Sequence, residues 1–271
     1  MCEFCEKHGR GNRWYLNPEN FSEKMMEDRQ RVKTLEKVAG WGIDYYIDFT
    51  SRVTQLVTWP VIGKVVKAMI DRMAPNEHGG QVVSLEDSLS LLEYARDFVL
   101  LPCACRKLVG HRDDMVCLNF GPIRDMQRRL MPEGPMEEIT LEDAREVVRR
   151  SDERGHFHQV LYAKVPFPIC ICNCDARYCT SLKQRWANNV EAAIFKGHEV
   201  CAVDRELCRF CEDPVCISRC AFGAMHYNAE AGSVHAHAGE CFGCGLCRSA
   251  CPRGALSLVP RDGVPSAAGR W

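Results

Sequence analysis

At 271 residues the chain is long enough for one large or two ordinary domains and can bury a core without covalent staples. A formal net charge of −1, with 26% charged residues, gives no support for nucleic-acid binding through bulk charge. Its 18 cysteines are several times ordinary usage and are not needed for stability at this length.

The first residues, MCEFCEKHGRGNRWYLNPENF, lack a basic stretch followed by an apolar one and carry no twin-arginine pair, so a cytoplasmic chain is expected. Thiols stay reduced there, which favours metal binding over disulfides. Cys2, Cys5 and His8 form C-x2-C-x2-H, read either as three metal ligands wanting a fourth or as unliganded thiols at a mobile end. Residues 17–73 carry helical patterns. A charged surface helix runs to Gly40, then Trp41, Tyr45, Phe49, Val53 and Leu56 recur at helical spacing, a stripe expected to pack in the core. Pro60 should break the helix that reaches it. Asp44, Asp48, Arg52, Lys64 and Lys67 interrupt the longest apolar stretch, so no membrane span is expected. PNEHGG (75–80) reads as a loop. Ser84 with Asp87 and Thr140 with Asp143 mark two further helix starts, the second helix ending at Gly155. His156 and His158 follow that end, where a cationic ring is favourable; they and His111, His235 and His237 are expected as surface or core residues.

From about residue 198 the pattern shifts to short strands and loops rich in Gly and Cys. CRFCEDPVCISRCAFGAMHY, from Cys208, aligns with CFGCGLCRSACPRGALSLV, from Cys241, once two residues are inserted in the first copy. This is an internal repeat. The second copy reads C-x2-C-x2-C-x3-C-P and the first C-x2-C-x4-C-x3-C-A, with Ala221 in place of the proline. Two-residue gaps let one loop offer thiolates to three corners of a cubane, and the fourth corner must be reached from elsewhere. Zinc would use the C-x2-C pairs and leave both continuations unexplained. Cys201, on a strand, is expected as a buried core thiol.

On these motifs residues 198–262 resemble the bacterial-type ferredoxin domain carrying two [4Fe-4S] clusters, and CEDPVC (211–216) is similar to iron-sulfur electron-transfer subunits of anaerobic oxidoreductases. In two-cluster ferredoxins the last cysteine of each run serves the other cluster. The resemblance therefore implies Cys208, Cys211, Cys216 and Cys251 around one cluster, and Cys241, Cys244, Cys247 and Cys220 around the other. Gly243 and Gly245 would bring amides near sulfur, while Phe210, Val215, Ile217, Phe222, Phe242 and Leu246 exclude water.

Chance is a poor account of PCACR and CICNC in the amino-terminal part. In an extended segment C-x-C puts both side chains on one face, so two such segments could share a metal. Cys103, Cys105, Cys117, Cys172, Cys174 and Cys179 are the candidates for a third [4Fe-4S] cluster or a zinc site. The expected fold is α+β: a mostly helical, cysteine-rich region (1–197), a dicluster ferredoxin-like domain of short strands and helices (198–262), and a flexible tail (263–271). No hydrolytic triad, phosphate loop or dinucleotide fingerprint stands in a convincing context. The expected function is single-electron transfer through two or three [4Fe-4S] clusters, to or from a redox protein partner, by a free-standing protein or a subunit of a larger complex. The alternatives are an oxidoreductase with a catalytic, open-sited cluster among the amino-terminal cysteines, and a redox-responsive scaffold.

Overall fold

The computed structural model describes residues 2–40, 43–73, 78–111, 114–209, 211–269 and 271, and the counts and absences below concern these. The chain starts with α1 (Glu3–His8) and short 3-10 turns between Trp14 and Glu27, then α2 (Arg29–Gly40), α3 (Ile43–Gln55) and α4 (Gly63–Met73). The helical reading of 17–73 thus holds in outline. Residues 18–27 wind as 3-10 turns because Asn17 accepts a bond from the Glu19 amide and Pro18 opens the first turn. Pro60 lies between α3 and α4. The apolar stripe differs from expectation. Trp41 lies outside the described residues, and Tyr45 and Phe49 are 58% and 43% exposed, because α3 roofs a cavity rather than a filled core.

The region expected to be mostly helical does hold more helix than strand, but it also holds a sheet that the expectation lacked. Here β1 (His78–Val83), α5 (Leu85–Leu92), β2 (Val99–Pro102), α6 (Ala104–Lys107), β3 (Met115–Asn119), α7 (Ile123–Leu130), β4 (Glu137–Glu138), α8 (Leu141–Glu153), β5 (Phe157–Ala163) and β6 (Pro168–Cys174) follow in turn, then α9 (Thr180–Ala187). The strands form one six-stranded antiparallel sheet in the order β1-β5-β6-β3-β2-β4. Its central strands are covered on both faces, so VLLP and PICICNC show no alternation of apolar with polar residues that would betray a strand.

One face turns Leu100, Leu118, Val160 and Ile171 onto Leu91, Leu92, Ala144 and Val148 of α5 and α8. Both helices start as their caps predict: the Ser84 hydroxyl accepts from the Asp87 amide, and Thr140 and Asp143 close a reciprocal capping box. The other face carries the cysteines. Cys170, Cys172 and Cys174 alternate along β6, and Cys117 on β3 stands opposite Cys172.

The carboxyl-terminal part contains β7 (Glu199–Val203), α10 (Val215–Ser218), β8 (Met225–Asn228), β9 (Ser233–Ala236), α11 (Leu246–Ser249) and β10 (Leu256–Pro260). β7 pairs antiparallel with β10, and β8 with β9 as a hairpin. In the tail Ala267 is fully buried and the Trp271 ring lies over the Arg261 guanidinium, while Pro265, Ser266, Ala268 and Gly269 are exposed.

Candidate metal centres

The loops after β7 and β9 bring the repeated cysteines together in two sets. Cys220, Cys241, Cys244 and Cys247 line one small cavity, closed by Phe222, Phe242 and Leu258. The second run therefore meets the last cysteine of the first, in the crossed arrangement. In the other set Cys216 faces Cys208 and Cys251, and its thiol is pushed up to about 11 by burial, then by these neighbours and Cys247. Cys211 is turned away and donates to the Asp213 carbonyl at 3.4 Å. Phe210, next to it, lies outside the described residues.

Backbone amides aim at these sulfurs. The Cys201 N–H donates to Cys241 Sγ at 3.4 Å and the Val234 N–H to Cys208 Sγ at 3.5 Å, so a strand of each copy supports the first cysteine of the other. The Ala224 amide donates to Cys220 Sγ at 3.2 Å. Gly243, at φ +74, presses against the Glu199 carbonyl, and a Cβ there would lie 2.3 Å from that oxygen. Four converging sulfurs with amide donors form an environment built for thiolates, and the donor set fits an iron-sulfur cluster. Burial drives Cys244 well above the usual thiol range. A cationic group that held it ionised would remove this strain.

Two residues that sequence reasoning undervalued contribute here. Cys201 is buried on its strand as expected, yet it lines the Cys220 cavity beside Cys247 and helps hold that thiol below the ordinary range, while its own Sγ donates to the Ala202 carbonyl at 3.7 Å. Arg261 is fully buried and donates to the carbonyls of Gly197 (2.7 Å), Glu199 (3.1 Å) and Cys241 (2.6 Å). It thereby places a cation behind the second loop. No motif marks it.

The six amino-terminal candidates, Cys103, Cys105, Cys117, Cys172, Cys174 and Cys179, line a single cavity of about 520 Å3 roofed by α3 and α4. The expected pair of facing extended segments is only half present: β6 is extended, whereas Cys103 caps α6 and Cys105 sits within it. Cys103 and Cys105 still meet, and Cys105 is pulled down to about 6 by the Cys103 hydrogen bond and then by Thr180, against burial. Cys170, not among the candidates, belongs to the same sulfur-rich face; its sulfur and those of Cys117 and Cys172 lie within 4.8 Å of one another. Neighbouring thiols and burial raise Cys172, Cys174 and Cys179 well above the ordinary range. Such crowding is relieved when a cation takes the sulfurs as thiolates. Gln159 donates to Cys174 Sγ at 3.1 Å, while its Oε1 has no hydrogen-bond partner among the described residues.

The two sulfur-rich regions share one apolar core. Cys174 and Cys179 pack with Cys244 around Phe157, Phe222 and Phe242. The Phe222 and Phe242 rings stack at 4.3 Å and 9°, with Phe157 edge-on to Phe222 at 5.1 Å.

His156 and His158 correct another expectation. Neither favours a cationic ring: His156 is pushed down to about 4 by burial and then by Arg106, and burial lowers His158. His235 and His237 lie on the surface hairpin as expected.

Residues 236–257 match the 4Fe-4S binding domain family. The iron-sulfur subunit of the arsenate respiratory reductase of Shewanella sp. strain ANA-3 is 31% identical over 89 residues, 29% of this chain and 38% of that protein. The electron transport protein HydN of Escherichia coli K12 is 42% identical over 55 residues, 20% of this chain and 30% of that one. The B subunit of the anaerobic dimethyl sulfoxide reductase of E. coli K12 is 48% identical over 48 residues, 18% of this chain and 23% of that subunit. The chain thus matches well under half the length of these relatives, and no solved structure matches it. No helix among the described residues is long and apolar enough to cross a membrane. Within its carboxyl-terminal part, then, the chain carries a 4Fe-4S binding domain similar to those of iron-sulfur subunits of anaerobic reductases.

Proposed function

We propose that the protein is an electron carrier, or the electron-carrying subunit of an oxidoreductase, with two [4Fe-4S] clusters in residues 198–262 and a third iron-sulfur centre among the amino-terminal cysteines. When bound, such a cluster takes up and releases one electron at a time. The observation that carries this reading is the cavity shared by Cys220, Cys241, Cys244 and Cys247, with three sulfurs from one copy of the repeat and one from the other. The first set is Cys208, Cys216 and Cys251, which Cys211 joins by rotating away from Asp213.

The chain's own residues do three things. Thiolates would hold the iron, and the amides of Cys201, Val234 and Ala224 would stabilise negative charge on their sulfurs. The aromatic cluster of Phe157, Phe222 and Phe242 packs between Cys174, Cys179 and Cys244 and would keep water out of the space between centres held on either side. The electron-transport role that the name of HydN gives that relative weighs against a catalytic centre among the amino-terminal cysteines. It supports a redox protein as partner. A reducing, cytoplasmic setting suits a chain that offers its cysteines as metal-binding thiolates.

Anaerobic quantitation of iron, sulfide and zinc tests the reading. About 12 irons per chain are expected with three cubanes, and about 8 if the amino-terminal cysteines bind zinc instead. A colourless chain with zinc and no acid-labile sulfide would sink it.

A further inference from the structure

The amino-terminal C-x2-C finds a partner that its own sequence neighbourhood does not contain. His8, the expected third donor, ends α1 outside the group, and His198, just before β7, takes its place. Cys2 Sγ and Cys5 Sγ lie 3.0 Å apart, and His198 Nε2 is 3.7 Å from the first and 3.3 Å from the second. Both thiols are buried, at 5% and 1% exposure. We propose that Cys2, Cys5 and His198 bind one tetrahedral zinc ion, which fastens the amino terminus to the ferredoxin-like half.

Donors at about 2.3 Å (sulfur) and 2.0 Å (nitrogen) around a tetrahedral zinc stand roughly 3.5–3.8 Å apart. Both sulfur–nitrogen distances are near that range, and the sulfurs need to part by less than an ångström. A Cys2–Cys5 disulfide would explain two sulfurs but not the imidazole nitrogen facing both. The surroundings suit a metal thiolate. The Trp14 amide donates to Cys5 Sγ at 3.3 Å, an outer hydrogen bond of the kind that orients metal ligands. The ring of His198 is flanked by Tyr15 at 5.7 Å and Trp271 at 4.9 Å, which fixes its plane. Gly9 lets the chain turn tightly under the thiols, since a Cβ there would sit 1.9 Å from the Asn12 carbonyl oxygen. Two thiolates balance the charge of the ion, so the buried site stays neutral. Zinc sites with three protein donors take a water as the fourth ligand.

The full-length protein, produced anaerobically with added zinc, provides the test. About one zinc per chain is expected besides iron. Cys5→Ser and His198→Gln should each lose that zinc while keeping iron and visible absorbance. Thiol mapping of the unmodified chain guards against variants that fail to fold. Cys2 and Cys5 should resist N-ethylmaleimide until a zinc chelator is added. Zinc missing from the wild type, no drop in zinc content in either variant, immediate labelling of Cys2 and Cys5, or a Cys2–Cys5 disulfide would each overturn the proposal. Since iron is counted separately, these outcomes leave the electron-transfer reading to its own test.

Discussion

Two neighbouring thiols separate a ligand from a helper. Cys247→Ala removes one of four converging sulfurs, and about 4 irons per chain are expected to be lost. Cys201→Ala removes a thiol that lines the cavity and helps hold Cys247 below its ordinary range, so iron content should hold while the midpoint potential of that centre shifts. Equal iron loss in the two variants would make Cys201 a ligand. Histidine burial sets an acid limit. His156 titrates near 4 when folded and near 6.5 when unfolded, so both states are largely neutral at pH 7. Below about 6.5 the unfolded chain alone takes up the proton. Stability should then fall by up to about 3 kcal/mol as the pH drops towards 4. Anaerobic urea unfolding between pH 7 and 4 should show this loss, and His156→Gln should flatten it.

At the scale of elements, the loop before α11 depends on one close approach. Gly243→Ala introduces a Cβ against the Glu199 carbonyl at positive φ, and neither backbone can yield without moving β7. Loss of the Cys241–Cys247 centre, read as reduced iron and altered low-temperature EPR, is expected. If the variant keeps full iron, the loop is more pliable than its packing indicates. The aromatic bridge has a separable role: Phe222→Leu keeps apolar volume but removes the stacked ring, so cluster content should stay while exchange between the centres slows in rapid-freeze kinetics. These elements differ in how they show in sequence. The ferredoxin-like loops are legible because ligand spacing is local, and Thr140–Asp143 announces α8 because a cap needs only neighbours. The six-stranded sheet is not, since strands buried on both faces lose their alternation and antiparallel partners are chosen by distant contacts such as Cys117 opposite Cys172. His198 escapes for the same reason: 193 residues separate it from Cys5, and no spacing rule spans them.

Across the whole molecule, the boundary expected at residue 198 cuts through a common core. Phe157, Cys174 and Cys179 from one side pack with Phe222, Phe242 and Cys244 from the other. Residues 198–262 alone are therefore expected to assemble clusters less completely than the full chain and to melt at lower temperature. Equal iron content and equal melting of the fragment would show that the two parts stand independently. The crossed amides carry one more consequence. Because the β7 amide of Cys201 serves Cys241 and the β9 amide of Val234 serves Cys208, a shift of either strand disturbs the first cysteine of the other run. Oxygen attack on one centre should drag its twin along, so protein exposed to air is expected to pass from filled to empty with few half-loaded chains between.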